Sequence, residues 1–379
     1  MPSTPDLPAS MKALIVEAPG QPLQLKTLPV PSATPGSCVV KVLAAEAGHD
    51  MPHVIDGTAG FPFPPNFVPG PHAIGRVVAT GPDATTLKVG QLVMVEAFIR
   101  PRDDPNDVQI LWGLTAGFDP AGLKFMGDNW SLGGLAEYTR APLENCYPLD
   151  EKRLCGPPAE GGLGYSVEDL LHLPTQLVAL GGLRALDLKP GERVIVAPST
   201  GVFSGAAVQV AVALGAQVVA TGRSRATLEA LQRQFPPGRV QVVPITGDVA
   251  ADTAALKQWG PVDAYLDLTP PTAAGATHPR SCFAALRKYG RACMMGVLRD
   301  DLAVSHLLLT FNSLTVRGQF MYERADAWLL IKMVEAGVLR LGKEGGNEVV
   351  GRFKFEQADE AFALAQKNAK MGKIVAFVP

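Results

Sequence analysis

The sequence predicts an α/β chain in which a β-rich stretch precedes a doubly wound parallel sheet. From Arg193 onward, short apolar runs alternate with segments of helical period, the signature of a parallel sheet covered by helices. The first 150 residues instead hold short β-rich runs (MKALIVEA, SCVVKVLAA, AIGRVVAT, GQLVMVEAF) parted by turns such as APGQP and GPDATTLKVG. A mixed tail follows both. At 379 residues the chain is long enough for two or three domains with sizeable cores.

The β-rich runs end in a loop-rich segment, 99–131, which holds Pro101, Pro105, Pro120, Trp112 and Trp130 and reads as an ordered lobe. Six strands are then expected at 193–197, 217–221, 240–243, 264–268, 291–295 and 314–319, enough for a doubly wound sheet. Helices are expected near 205–214, 225–234, 250–258 and 281–288, with Ser224 and Asp248 as N-caps. In the tail, RADAWLLIKMVEAG and QADEAFALAQKN have amphipathic helical periods, whereas GRFKF and KIVAFVP read as strands.

Composition narrows the function. Basic and acidic residues number 34 and 36, so the net charge of -2 gives no footing for nucleic acid or acidic lipid. Glycine and proline together make about 19% of the chain, rich in turns yet below the level of low-complexity chains. The five cysteines, Cys38, Cys146, Cys155, Cys282 and Cys293, form an odd, scattered set without a C-x-x-C pair. That argues against a disulfide framework or a cysteine-rich zinc module and for a reducing compartment. The opening MPSTPDLPASMK has neither an apolar core nor an Arg-rich face, so a cytoplasmic protein is expected. Residues 194–222 carry no charge over a length that would span a bilayer, but prolines, glycines and polar residues punctuate them. Strand, turn, helix and buried strand account for that run, and no membrane segment is expected.

After RVIVA comes PSTGVFSGAAVQVAVALGA, a small-residue turn that opens a helix. Close approach of a pyrophosphate needs small residues and free amides at a helix N-terminus, and Ser199, Gly201 and Ser204 supply them. The glycine fingerprint is degraded, and a structural tight turn suits the same residues. A fold that prefers the ribose 2'-hydroxyl usually ends its second strand in an acid. Here AQVVAT runs into Gly222-Arg223-Ser224-Arg225, with space, guanidinium groups and a hydroxyl for a 2'-phosphate. NADP(H) is the cofactor expected. Solvated residues in the first turn of a helix are the alternative.

Taken together, VVKVLAAEAGHD, FVPGPHAIGRVVATGPDATTLKVGQLVMV, GGLAEYTRAPLENCYPL, LKPGERVIVAPSTGVFSGAAVQVAVALGAQVVATGRS and MGKIVAFV resemble the medium-chain dehydrogenase/reductase superfamily, the alcohol dehydrogenase and quinone reductase relatives. The resemblance spans nearly the whole chain. It implies a discontinuous GroES-like catalytic domain, 1–165 with 320–379, and an inserted Rossmann NADP-binding domain, 166–319. It further implies a homodimer and cofactor contacts at Thr200, Gly201, Val202 and Phe203, then Thr269, with Val297 and Phe320 near the nicotinamide.

The sequence departs from the family where zinc-dependent members carry their ligands. Their Cys-His pair is Gly48-His49 here, and their P-G-H-E element reads Pro69-Gly70-Pro71-His72. The 99–131 lobe has none of the four cysteines of a structural zinc. No metal is expected, since His49, Asp50, His72 and Glu96 have no evident common focus. As acid/base groups, Asp50, His49 and His72 are the candidates; Asp50 matches the position of a proton-relay hydroxyl in zinc-dependent relatives, and it also suits the cap of a helix from Met51.

Without a Lewis acid, conjugate reduction of an enone or quinone is favoured, because delocalisation spreads the developing charge. Against it, relatives that reduce conjugated C=C bonds often carry an early catalytic tyrosine, and no tyrosine precedes Tyr138. Phe61, Phe63, Phe67, Phe98, Trp112, Phe118 and Trp130 fall in segments that the resemblance places near the substrate and suit a small apolar molecule; core and loop anchoring is the alternative. The expected activity is zinc-independent, NADP(H)-dependent hydride transfer to an apolar enone or quinone. Ketone reduction or secondary alcohol oxidation is the alternative, and a catalytically inactive dinucleotide sensor is an alternative of another class.

Overall fold

The computed structural model describes residues 7–299 and 301–379; the first six, read above for a targeting signal, lie outside them. The chain divides into two compact units, one of residues 1–174, 348–369 and 373–379, the other of 175–347 and 370–372.

Unit 1 begins with the antiparallel pair β1 (Ser10–Ile15) and β2 (Gln24–Pro29). Its main sheet is built on β3 (Ser37–Glu46), whose run SCVVKVLAAE is buried almost throughout. The other elements of this stretch are α1 (Met51–Ile55), β4 (Ala73–Thr80), β5 (Leu92–Val95), β6 (Phe98–Ile99), β7 (Ile110–Leu111), α2 (Pro120–Phe125), β8 (Tyr138–Pro142), β9 (Cys146–Pro148) and α3 (Glu151–Cys155).

Unit 2 starts within α4 (His172–Ala185), a helix that the sequence reading did not single out. It continues through β10 (Arg193–Ala197), α5 (Val202–Ala213), β11 (Gln217–Gly222), α6 (Arg225–Gln232), β12 (Val240–Pro244), α7 (Val249–Lys257), β13 (Val262–Asp267), α8 (His278–Ala285), β14 (Leu286–Met294), α9 (His306–Asn312), β15 (Thr315–Gly318) and α10 (Arg324–Glu335). All six expected strands are present and parallel, in the order β12-β11-β10-β13-β14-β15. This is the doubly wound dinucleotide-binding arrangement. Ser224 and Asp248 cap α6 and α7 as expected: Ser224 Oγ accepts from the Thr227 amide at 3.3 Å, and Asp248 Oδ1 from Ala250 and Ala251 at 2.8 and 2.9 Å. The uncharged 194–222 run is strand, helix and strand, and among the described residues no helix is long and apolar enough to cross a membrane.

The chain then returns to unit 1 through β16 (Glu348–Phe353), α11 (Ala358–Lys367) and β17 (Lys373–Phe377). The sheet of unit 1 runs β16-β17-β3-β4-β5-β9, with β8 also paired to β3. Both divisions fall later than the expected 165/166 and 319/320. The 3-10 turn Glu168–Leu171 packs on β3 and β4 and so stays with unit 1. Residues 320–347 stay with unit 2, where Arg184 pairs with Asp326 at 3.5 Å and Gln209 donates to the Gly345 carbonyl at 2.6 Å.

Candidate active site

In unit 1, antiparallel pairing of Ala45 with Ala73 sets Glu46 opposite His72, and the Glu46 amide donates to the His72 carbonyl at 3.1 Å. Their side chains meet as well: His72 Nδ1 lies 2.5 Å from Glu46 Oε2, with both side chains nearly buried. Burial alone would raise the Glu46 carboxyl. The charge and hydrogen bond of His72, with smaller contributions from His172 and His49, outweigh burial and hold it below the usual carboxylate range. The turn that delivers His72 depends on Gly70, which has φ +105; a Cβ there would come within 2.8 Å of the Leu135 backbone nitrogen.

His172 follows the turn in which Asp169 accepts from the Ser166 amide and hydroxyl, both at 2.9 Å. Burial pushes its imidazole down to about 4, against the pull of Glu46 and Asp169. It is neutral at physiological pH. His49 is half-buried and near enough for its charge to act on Glu46. Asp50 stands at the N-cap of α1, but its own backbone is helical (φ -92, ψ -12) and its exposed carboxylate caps nothing.

Zinc, which the family resemblance raises, does not fit this donor set. Glu96 is committed elsewhere: its carboxylate accepts from the Phe98 amide and, at 2.5 Å, from Asn145 Nδ2. Cys38 and Cys146 lie sulfur to sulfur at 3.3 Å inside the unit. Among the described residues no three His, Cys, Asp or Glu side chains gather where one ion would bind them.

Most of the aromatic candidates belong to the core. Phe63 stacks on Phe67 with centroids 4.9 Å apart, and fully buried Trp112 donates to the Leu132 carbonyl at 2.8 Å. Phe98 is buried under Arg100, Trp130 meets Phe125 edge-on, and Phe61 packs against the same core. Phe118 is 80% exposed.

In unit 2 the predicted cofactor residues lie at the carboxyl ends of the parallel strands. Thr200 and Gly201 form the turn from β10 into α5, where the Gly201 amide donates to Ser204 Oγ at 3.0 Å and the amides of Val202 and Phe203 meet no acceptor among the described residues. Gly222 adjoins this turn, since a Cβ on it would sit 3.6 Å from Thr200 Cγ2. Arg223, Ser224 and Arg225 are exposed: Ser224 is engaged with Thr227, Arg225 lies 3.8 Å from Glu229, and Arg223 bonds to no described residue. Ser199 is placed differently from expectation. It is enclosed, donating to the Val196 carbonyl at 2.5 Å and accepting from the Thr221 amide at 2.8 Å, so it braces β10 against β11.

Thr269 is likewise turned inward. Its hydroxyl donates to Asp267 Oδ1 at 2.5 Å and therefore accepts from His278 Nε2, 2.9 Å away, while Tyr265 donates to the same carboxylate oxygen at 2.8 Å. The Thr269 carbonyl accepts from the Val297 amide at 3.0 Å. Gly296 lies against this network: a Cβ there would fall 2.3 Å from Asp267 Oδ2 and 2.7 Å from the Thr269 backbone. Val297 and Phe320 present exposed side chains after β14 and β15.

A carboxylate–imidazole pair on the β3–β4 ladder and a small-residue turn on a 3-2-1-4-5-6 sheet define a dinucleotide-linked α/β protein. Comparison with known proteins agrees. Residues 34–151 match the family model "Alcohol dehydrogenase GroES-like domain", and residues 204–336 match "Zinc-binding dehydrogenase". An alcohol dehydrogenase of Moraxella sp. is 24% identical over 87% of this chain and 90% of its own. An NAD-dependent alcohol dehydrogenase of Sulfurisphaera tokodaii is 23% identical over 96% and 99%. The solved structure of the crotonyl-CoA carboxylase/reductase AntE, in complex with NADP, superimposes with a TM-score of 0.75 at 17% identity, covering 100% of this chain and 96% of that one. The chain belongs to the medium-chain dehydrogenase/reductase superfamily, with a GroES-like domain and a Rossmann-type sheet, and is an oxidoreductase of that superfamily.

Proposed function

We propose that the chain is a zinc-independent, NADP(H)-dependent oxidoreductase that transfers a hydride to a small apolar enone- or quinone-like substrate. The observation that carries this reading is the end of β11: Gly222 leads into an exposed Arg223 that bonds to no described residue, and an acid is absent where a 2'-hydroxyl would call for one. The amides of Val202 and Phe203, with Thr200 and Gly201, would hold the pyrophosphate; Arg223, Ser224 and Arg225 would hold the 2'-phosphate. The bound dinucleotide supplies the hydride.

Zinc independence is supported by the donor set, in which Glu46 is engaged by His72, Glu96 by Asn145, and Cys38 and Cys146 by each other. A conjugated acceptor suits a protein that stabilises charge without a Lewis acid. Reduction of a ketone, or oxidation of a secondary alcohol, is the second reading, favoured by relatives named alcohol dehydrogenases. A homodimer is supported by the exposed edge strand β15, and a cytoplasmic setting by five free cysteines.

Purified protein should consume NADPH faster than NADH with 2-cyclohexen-1-one or 1,4-naphthoquinone, and product analysis should show the saturated ketone or the hydroquinone. Stoichiometric zinc by elemental analysis, or a preference for NADH, would overturn the corresponding part of the reading.

A further inference from the structure

We infer that His72 is the proton donor of the reaction and that Glu46 is the residue that positions it. The inference rests on the oxidoreductase reading above and adds the source of the proton. Reducing C=O or C=C takes a hydride, which brings two electrons, and one proton. The hydride adds to carbon, the π pair moves to the conjugated or carbonyl oxygen, and the proton completes the product.

The geometry singles out one atom for that proton. An ionised Glu46 only accepts, so the His72 nitrogen 2.5 Å from it, Nδ1, carries a hydrogen. Nε2 bonds to no described residue, and the His72 side chain retains 13% exposure. Protonated His72 gives up the Nε2 proton, is left neutral with Nδ1–H still on Glu46, and is recharged from water. In the reverse direction Nε2 takes the proton.

The pair is also well anchored. Both residues sit at the ends of paired strands, joined by the Glu46 amide to the His72 carbonyl at 3.1 Å. Of the two rivals, His49 has no hydrogen-bonded carboxylate among the described residues to orient it, and Asp50 is exposed at the start of a one-turn helix. Among the described residues, the groups whose charge acts most on Glu46 are His72, His172 and His49.

The test uses the full-length protein, NADPH and the better of the two acceptors. Expected for Glu46→Gln is a kcat lower by roughly 10–100-fold, with KM and NADPH affinity unchanged, a larger solvent isotope effect, and partial rescue by Glu46→Asp. His72→Ala should lose kcat and regain part of it with added imidazole. Equal losses in kcat and NADPH affinity, or wild-type kcat in either variant, would overturn the dyad alone. No hydride transfer by the wild type with any acceptor would overturn the oxidoreductase reading, and the inference with it. Imidazole NMR keeps the two failures apart: a far-downfield Nδ1 proton, lost in His72→Ala and shifted in Glu46→Gln, is expected whether or not turnover occurs, and its absence from the wild type would overturn the pairing.

Discussion

The Thr269 hydroxyl bridges His278 and Asp267, 2.9 Å from the imidazole Nε2 and 2.5 Å from the carboxylate. Because it has one proton to give, the Asp267 carboxylate receives it and His278 must hold its own proton on Nε2. Burial lowers the His278 pKa, which favours the neutral ring with its hydrogen on Nε2. Replacing Thr269 by Val leaves the buried His278 Nε2–H without its acceptor and removes one of the two hydroxyl donors to Asp267 Oδ1, and should cost about 1–3 kcal/mol in urea unfolding. Thr269→Ser, which keeps the hydroxyl, should cost clearly less. Equal costs for the two would show that the methyl group, and not the bridge, stabilises the loop.

Gly222 has room for a side chain. A Cβ there would meet only Leu228 at 3.5 Å and Thr200 at 3.6 Å, both ordinary contacts. Gly222→Asp should therefore fold and place a carboxylate where it repels a 2'-phosphate and accepts from a ribose. The ratio of NADPH to NADH dissociation constants should move toward NADH by at least about tenfold. An unchanged ratio would remove the end of β11 from cofactor choice.

His172 makes stability depend on pH. Its folded pKa of about 4 lies below the unfolded value of 6.5, so between these the unfolded chain binds the extra proton. Stability from this group is thus intact above pH 6.5, falls as the pH drops toward 4, and changes no further below that. The total is on the order of 3 kcal/mol. Thermal unfolding of His172→Gln should show a shallower loss across that window than the wild type. Parallel curves would mean that other groups set the acid response.

β15 presents four exposed residues at the sheet edge, and on α9, the helix that precedes it in the chain, Leu307 and Phe311 are 65% and 73% exposed. An open edge with apolar neighbours pairs readily with another chain. Sedimentation should give a dimer for the wild type. Val316→Lys combined with Phe311→Glu should give a monomer, and a variant that stays dimeric would move the interface elsewhere.

The doubly wound sheet was legible because its central strands, such as RVIVA and QVVAT, are dense apolar runs bounded by turns, and the cap side chains stand where the helical period begins. Individual side-chain roles were less so. Ser199 and Thr269 carry hydroxyls suited to a ligand, yet both face inward, and the direction of a hydroxyl depends on tertiary partners that no local pattern encodes. Glu46 was missed for a related reason. It is a lone acid in VVKVLAAEA, and its meaning comes from the register that sets it opposite His72. His172 hides similarly in LLHLP, where an apolar helix start gives no sign that the ring faces a carboxylate. The point of return to unit 1, at Glu348, is not legible in the sequence, since α10 reads as an amphipathic helix whichever unit it packs against.

The last strand carries a consequence for how the protein is made. Glu46 is flanked on one side by His72 and on the other by β17, through its pairing with Ala376, which leaves the ribosome roughly 330 residues later. Unit 2 can complete its own sheet before β17 emerges, whereas the Ala45–Glu46 end of β3, beyond the stretch that β8 covers, must wait for β17 with one side open. The nascent chain therefore carries a short unfinished edge at Glu46 until β17 emerges, and the Glu46–His72 pair is enclosed on both sides well after the turn at Thr200 and Gly201 has formed.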